Sequence, residues 1–188
     1  MSRIVAGTLG GRRIAAPAGG RTRPTSDRVR EALFSAIEAD VDLVGARFVD
    51  LYAGSGAVGL EALSRGAEHV LLVESDPRAA RTIRQNLAAL GASPAARLVT
   101  GRVAKVLAAG PPDGRPYDVV FADPPYAVPG AEITAMLAAL VDRDWLAAGA
   151  VLVLERATRD TPPTWVEGVT AGRSRRYGET TLWYGRRS

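Results

Sequence analysis

"FVDLYAGSGAVGLEAL", Phe48 to Leu63, joins an apolar strand-like segment to a helix-like one through a turn rich in glycine. Phe48–Tyr52 reads as the strand, and Gly54, Ser55, Gly56, Ala57, Val58 and Gly59 follow it directly. That spacing is G-x-G-x-x-G. Glycines there let the backbone turn tightly and approach a ligand, presenting N–H groups at a helix N-terminus. Glu74 ends the next strand-like run, 20 residues after Gly54, where a carboxylate can hold ribose hydroxyls. A purely structural turn has no need of that acid. The pair points to a ligand bearing adenosine, and leaves open a nicotinamide cofactor or S-adenosylmethionine.

Outward from this unit, strands and helices alternate. Strands are expected at Phe48–Tyr52, Val70–Glu74, Arg97–Thr100, Tyr117–Ala122 and Ala150–Glu155, with helices near 57–65, 77–90, 102–109 and 131–142. Continuous apolar strands in alternation with helices predict a doubly wound, mostly parallel sheet with helices on both faces. The tail from Gly168 to Arg187 reads as two antiparallel strands around Tyr177–Gly178 at the sheet edge, which makes seven strands. Residues 1–16 read as a short hairpin with a Gly-Gly turn. A basic loop follows, then a helix capped by Thr25, Ser26 or Asp27, with Val29, Leu33, Phe34 and Ile37 at helical spacing. The expected organisation is an N-terminal basic arm over 1–40 and an α/β domain over 41–188.

Composition narrows the chemistry. The chain has 188 residues, is 47% hydrophobic, and has no cysteine and one histidine, His69. Cysteine nucleophiles, disulfides and thiolate metal sites are therefore excluded, and His69, opening the strand "HVLLVES", reads as a strand-edge residue. No metal is expected. No run reaches the length of a membrane span and the N-terminus lacks a signal-peptide pattern, so a cytoplasmic location is expected. The net charge of +4 is unevenly spread. Residues 1–30 hold Arg3, Arg12, Arg13, Arg21, Arg23, Arg28 and Arg30 against Asp27, a balance of +6. Residues 171–188 hold five arginines against Glu179, a balance of +4, which leaves the middle at −6. A codon bias explains arginine in place of lysine but not this partition. Clustered guanidinium groups suit phosphate, so the seven N-terminal arginines are candidate nucleic-acid contacts.

"FADPPYAV", Phe121 to Val128, supplies the second half of a site. Proline cannot donate to a ladder, so the strand must stop at Ala122 or Asp123 and a rigid turn must carry Asp123, Pro124, Pro125 and Tyr126 off its end. Ligands sit beyond the carboxyl ends of strands in such sheets. An exocyclic base amine is a weak nucleophile because its lone pair is delocalised. A carboxylate from Asp123 and a backbone carbonyl from Pro124 can accept its two N–H bonds and aim the lone pair at an electrophilic methyl. Tyr126 can stack on the base. A nicotinamide enzyme would leave these residues unexplained.

Taken in order, "DLYAGSGAVGLEAL", "VESD" and "DPPY" resemble the class I S-adenosylmethionine-dependent amino-methyltransferases. More narrowly, "RIVAGTLGGRRI", "RPTSDRVREALFSAI", "FVDLYAGSGAVGLEALSRGA" and "FADPPY" resemble the RsmD family across nearly the whole chain. That resemblance implies methyl transfer to the N2 amine of a guanine in small-subunit (16S) ribosomal RNA. It also implies cofactor contacts at Asp50, Ala53, Gly54, Ser55, Gly56, Glu74, Ser75 and Asp123, and capture of the target amine by Asp123, Pro124, Pro125 and Tyr126. One position departs from the pattern: Arg102 stands where methyltransferases often carry an adenine-binding Asp or Asn; Arg102 and Val103 are the expected cofactor contacts there, with Val103 meeting adenine. The expected substrate is ribosomal RNA or a partly assembled small subunit, met by a monomer. An adenine-N6 methyltransferase of DNA or RNA is the nearest alternative, and a non-catalytic RNA-binding module the next.

Overall fold

The computed structural model describes residues 2–18 and 26–188. Its strands are β1 (Ser2–Arg3), β2 (Arg13–Ile14), β3 (Arg47–Leu51), β4 (His69–Glu74), β5 (Ala96–Thr100), β6 (Tyr117–Ala122), β7 (Leu146–Ala157), β8 (Val169–Tyr177) and β9 (Thr180–Arg187). Its helices are α1 (Asp27–Asp40), α2 (Ala57–Ser64), α3 (Pro77–Leu90), α4 (Val103–Ala108) and α5 (Gly130–Asp142). Among the described residues β3 to β9 form one sheet in the order β5-β4-β3-β6-β7-β9-β8. The first five in that order are parallel, and β9 runs antiparallel to both β7 and β8. The doubly wound, seven-stranded sheet expected from the alternation is present.

The period of two along each strand divides the core into two layers. Phe48, Val70, Leu72, Val119 and Phe121 pack on one face with Leu33, Phe34 and Ile37 of α1 and with α2 and α3. Val49, Leu51, Leu71, Val73, Val120 and Leu152 face α4, α5 and Trp145 on the other. Strands this apolar must be covered on both sides. Caps close the helices as their sequences suggest: the Ser26 side chain accepts from the Val29 N–H (3.2 Å), and Asp76 with Pro77 opens α3, which ends at Gly91 in left-handed geometry. Thr25 lies outside the described residues. His69 opens β4, with its Nε2 3.2 Å from the Tyr117 hydroxyl.

Strand β7 starts at Leu146, four residues ahead of the expected Ala150. "LAAG" carries no β signal of its own; Leu146 pairs with Tyr117, and the ladder resumes, shifted, at Val119 and Val151. Gly149, at φ 71, takes up the irregularity. The N-terminal hairpin is built into the first core layer: Ile4 and Ile14 are 0% and 2% exposed beside Leu33 and Phe34. No helix among the described residues is long and apolar enough to cross a membrane.

Candidate functional site

Strand β3 leads to β4 on one side, whereas β6 pairs on its other side, so the chain changes winding direction between β3 and β6. A crevice opens at the carboxyl ends there. Leu51 is level with Ala122, so the glycine loop and the Asp123 turn leave adjacent strands at the same height. The two motifs are thereby brought together.

The glycine loop is held from below and from the side. Tyr52 sits at φ 61, a costly left-handed backbone for a side chain of its size, and Gly54 (φ 61) and Gly56 (φ 84) follow. Asp50 is buried on the α2 side of β3 and accepts the Gly59 N–H at 2.9 Å. A side chain at Gly59 would come within 2.7 Å of Leu72 Cδ2, so glycine is what lets α2 press against the sheet. Burial holds the Asp50 carboxyl well above the ordinary range, against the pull of the Gly59 N–H, and the charges of Glu74 and Glu155 push the same way. With its carboxylate turned inward onto Gly59, Asp50 fixes the loop from beneath.

Glu74, at the end of β4, accepts the Gly54 N–H at 2.7 Å and the Asp76 N–H at 3.0 Å, one on each oxygen. Two lone-pair sites remain for a ligand diol. Nothing lies within 4 Å of the place a Gly54 side chain would occupy, so the loop's outer side is open. An open glycine turn, N–H groups at the start of α2 and a carboxylate beside them fit an adenosine-bearing cofactor. Ser75 is exposed next to Glu74; Ala53 is buried, and Ser55 is half-buried. Arg102 is exposed at the start of α4, whereas Val103 is only 5% exposed and packs in the second core layer.

Asp123 is half-buried where β6 ends. Burial first, then the charges of Glu155 and Asp50, holds its carboxyl well above the usual range, with Arg156 pulling the other way. Pro124 is buried; Pro125 is exposed, and the Tyr126 ring is 52% exposed. An aromatic ring left in water beside a half-buried acid is available to stack on a base.

Two contributors were not singled out from sequence. Arg156, buried on β7, donates to the carbonyls of Pro125 (3.3 Å) and Val128 (3.0 Å) and pairs with Asp160 at 3.5 Å, so it braces the proline turn from behind. Its signal is a charge inside the apolar run "VLVLERA", where a cation must find partners. Asn86, buried on α3, accepts the Ala15 N–H at 2.8 Å and donates to the carbonyls of Ala15 (3.0 Å) and Ser55 (2.9 Å). One amide joins the end of the hairpin to the glycine loop. Its signal is an amide on the stripe Ala79, Ile83, Asn86, Leu87, Leu90.

The candidate RNA-binding arginines divide. Arg3, Arg12, Arg13 and Arg28 are exposed, although Arg12 also donates to the Ala89 carbonyl at 2.9 Å. Arg30 is fully buried, bonded to Asp27 (3.0 Å), the Ser2 hydroxyl and the Arg3 carbonyl. Its charge anchors the hairpin to α1 and is not presented to a ligand, which corrects the expectation for that residue. Arg21 and Arg23 lie outside the described residues.

A family model described as "Conserved hypothetical protein 95" matches residues 2–186. The ribosomal RNA small subunit methyltransferase D of Escherichia coli K12 is 40% identical over 162 residues, 86% of this chain and 78% of that protein. The protein of the same name from Haemophilus influenzae is 33% identical over 166 residues, 87% of this chain and 84% of that one. The solved structure of yhhF from Escherichia coli superposes with a TM-score of 0.85 at 35% identity, covering 99% of this chain and 97% of that one.

Proposed function

Because the chain belongs to the Conserved hypothetical protein 95 family, we propose that it is an S-adenosylmethionine-dependent methyltransferase acting on ribosomal RNA, with the N2 amine of a guanine as the methyl acceptor. One observation carries the reading. The glycine loop with Glu74 and the Asp123–Tyr126 turn meet at the switch point of the sheet, so a cofactor and a target base can share one crevice. The cofactor supplies an electrophilic methyl group; the chain supplies position. Gly54, Gly56 and the first turn of α2 hold the amino-acid end, and Glu74 the ribose. Asp123 and the Pro124 carbonyl accept the two N–H bonds of the target amine, and Tyr126 stacks on its ring. The substrate is small-subunit RNA or a partly assembled subunit, which the protein meets as a monomer in the cytoplasm.

The test is incubation of purified protein with small-subunit RNA and labelled cofactor, followed by mass spectrometry of the nucleosides. N2-methylguanosine is the expected product. N6-methyladenosine would transfer the site to adenine, and no product on any RNA would overturn the reading.

Cofactor affinity should depend on Glu74. Replacing it with alanine removes charge-assisted hydrogen bonds worth about 1.5–3 kcal/mol, and calorimetry should show S-adenosylmethionine binding about 10- to 100-fold weaker. Glu74→Gln should fall between, since it keeps an acceptor for Gly54 but not the charge. Unchanged affinity in a folded Glu74→Ala protein would move the ribose contact elsewhere.

A further inference from the structure

Strand β8 is the edge of the sheet, and every residue from Thr170 to Arg176 is exposed. It carries Arg173, Arg175 and Arg176, and β9 ends in Arg186 and Arg187. Three of these five are engaged within the fold. Arg173 donates to the Ala36 carbonyl (3.1 Å) and lies over the Tyr184 ring; Arg186 donates to the Asp40 carbonyl (3.1 Å); Arg187 donates to the Gly168 carbonyl (2.8 Å). Arg173 and Arg186 also face the Asp40 carboxylate. The other two differ. Arg176 donates only to the Gly178 carbonyl in the hairpin turn (2.9 Å), and among the described residues neither it nor Arg175 has a carboxylate within ion-pair distance. The one acid in the turn, Glu179, is exposed beside them.

The place of these two arginines matters more than their charge. Thr180 pairs with Ala157 on one side and Tyr177 on the other, so the β8–β9 tip stands at the carboxyl end of β7. Asp123 leaves β6 at that same end. From β6 to β8 is three strand spacings, roughly 14 Å, or about four nucleotides of a stacked single strand at 3.4 Å each. The bond from Arg186 to Asp40, the last residue of α1, puts that helix's C-terminus toward the amino ends of the parallel strands. Its first turn, with exposed Arg28 and the neighbouring Arg3, therefore points the same way as the hairpin tip.

We propose that the tip of the β8–β9 hairpin is a second RNA-contact surface, in which Arg175 and Arg176 bind backbone phosphates flanking the target base while the N-terminal arm binds elsewhere on the same RNA. The inference rests on the RNA methyltransferase reading. It assigns the basic C-terminal segment a role that codon usage does not explain.

The test is the doubly substituted Arg175→Ala/Arg176→Ala protein, titrated with small-subunit RNA at several salt concentrations. Two lost phosphate contacts should lower the slope of log affinity against log salt by about 1.4–1.8, and weaken binding at 0.1 M salt by roughly 30-fold. S-adenosylmethionine affinity should be unchanged, KM for RNA should rise, and kcat should stay near wild type. Arg175→Lys/Arg176→Lys should restore the slope, which a lost structural contact would not. Wild-type affinity and slope in the alanine pair would overturn this proposal alone. Failure of the wild-type protein to bind or methylate the RNA would overturn the reading beneath it.

Discussion

Asp123→Ala is expected still to bind S-adenosylmethionine and to transfer methyl groups at least about 100-fold more slowly. The substitution leaves Gly54, Gly56 and Glu74 untouched, and Glu74 keeps its bonds to Gly54 and Asp76. It removes the acceptor proposed to orient the target amine. Single-turnover transfer to small-subunit RNA separates this loss from product release. Asp123→Asn should be milder, because its amide oxygen still accepts one N–H. Tyr126→Ala should act mainly on capture of the base, by about 1–3 kcal/mol for a lost stack. Full activity in Asp123→Ala would reduce "DPPY" to a rigid turn.

The same carboxyl predicts a pH dependence. Burial and the charges of Glu155 and Asp50 raise its proton affinity above the ordinary carboxylate range. The ionised form is the stronger acceptor, so the transfer rate should climb with pH through a value above that range, and Asp123→Asn should lose that limb. Linkage gives the opposite sign for stability. Asp50 and Asp123 both bind their protons more tightly folded than unfolded. Their stabilising contribution is complete below the unfolded value and is lost as pH rises through the folded one.

Local chemistry explains what could be read without coordinates. A glycine turn between strand and helix, an acid at the end of the next strand and two prolines after a third each declare their geometry in a few residues. Tertiary choices do not. Strand β7 begins at Leu146 because Tyr117 lies across from it, and nothing within "LAAG" says so. Arg30 is a mixed case. It shares the stripe Arg30, Leu33, Phe34, Ile37 with the apolar face of α1, so its burial followed from spacing, whereas its type suggested solvent and phosphate. Partners for a buried cation come from distant segments: Arg30 finds the Arg3 carbonyl, and Arg156 finds the proline turn. Sign and spacing are local properties; partners are not.

Deleting the N-terminal hairpin, residues 2–16, is expected to unfold or severely destabilise the protein, beyond costing it RNA. Ile4 and Ile14 are 0% and 2% exposed in the first core layer. Loss of each resembles a large core truncation, about 2–5 kcal/mol apiece. The Glu61 carboxylate would lose the Val5 N–H that meets its two oxygens at 3.0 and 3.1 Å. Asn86 would lose both bonds to Ala15, and Ser64 its contact with the Leu9 N–H. A buried polar group stripped of its partner costs about 1–3 kcal/mol. These losses together rival the roughly 5–15 kcal/mol that holds a domain of this kind folded. Thermal unfolding of the truncated chain should therefore show a collapsed midpoint or no cooperative transition. The charge-only variant Arg3→Ala/Arg12→Ala/Arg13→Ala/Arg28→Ala tests RNA binding instead, with Arg30 left in place because it is internal. It should melt near the wild-type temperature, keep its cofactor affinity, and lose RNA affinity together with much of the salt slope. A truncated protein that melts like wild type would show the hairpin to be an appendage, and its two isoleucines to be dispensable to the core.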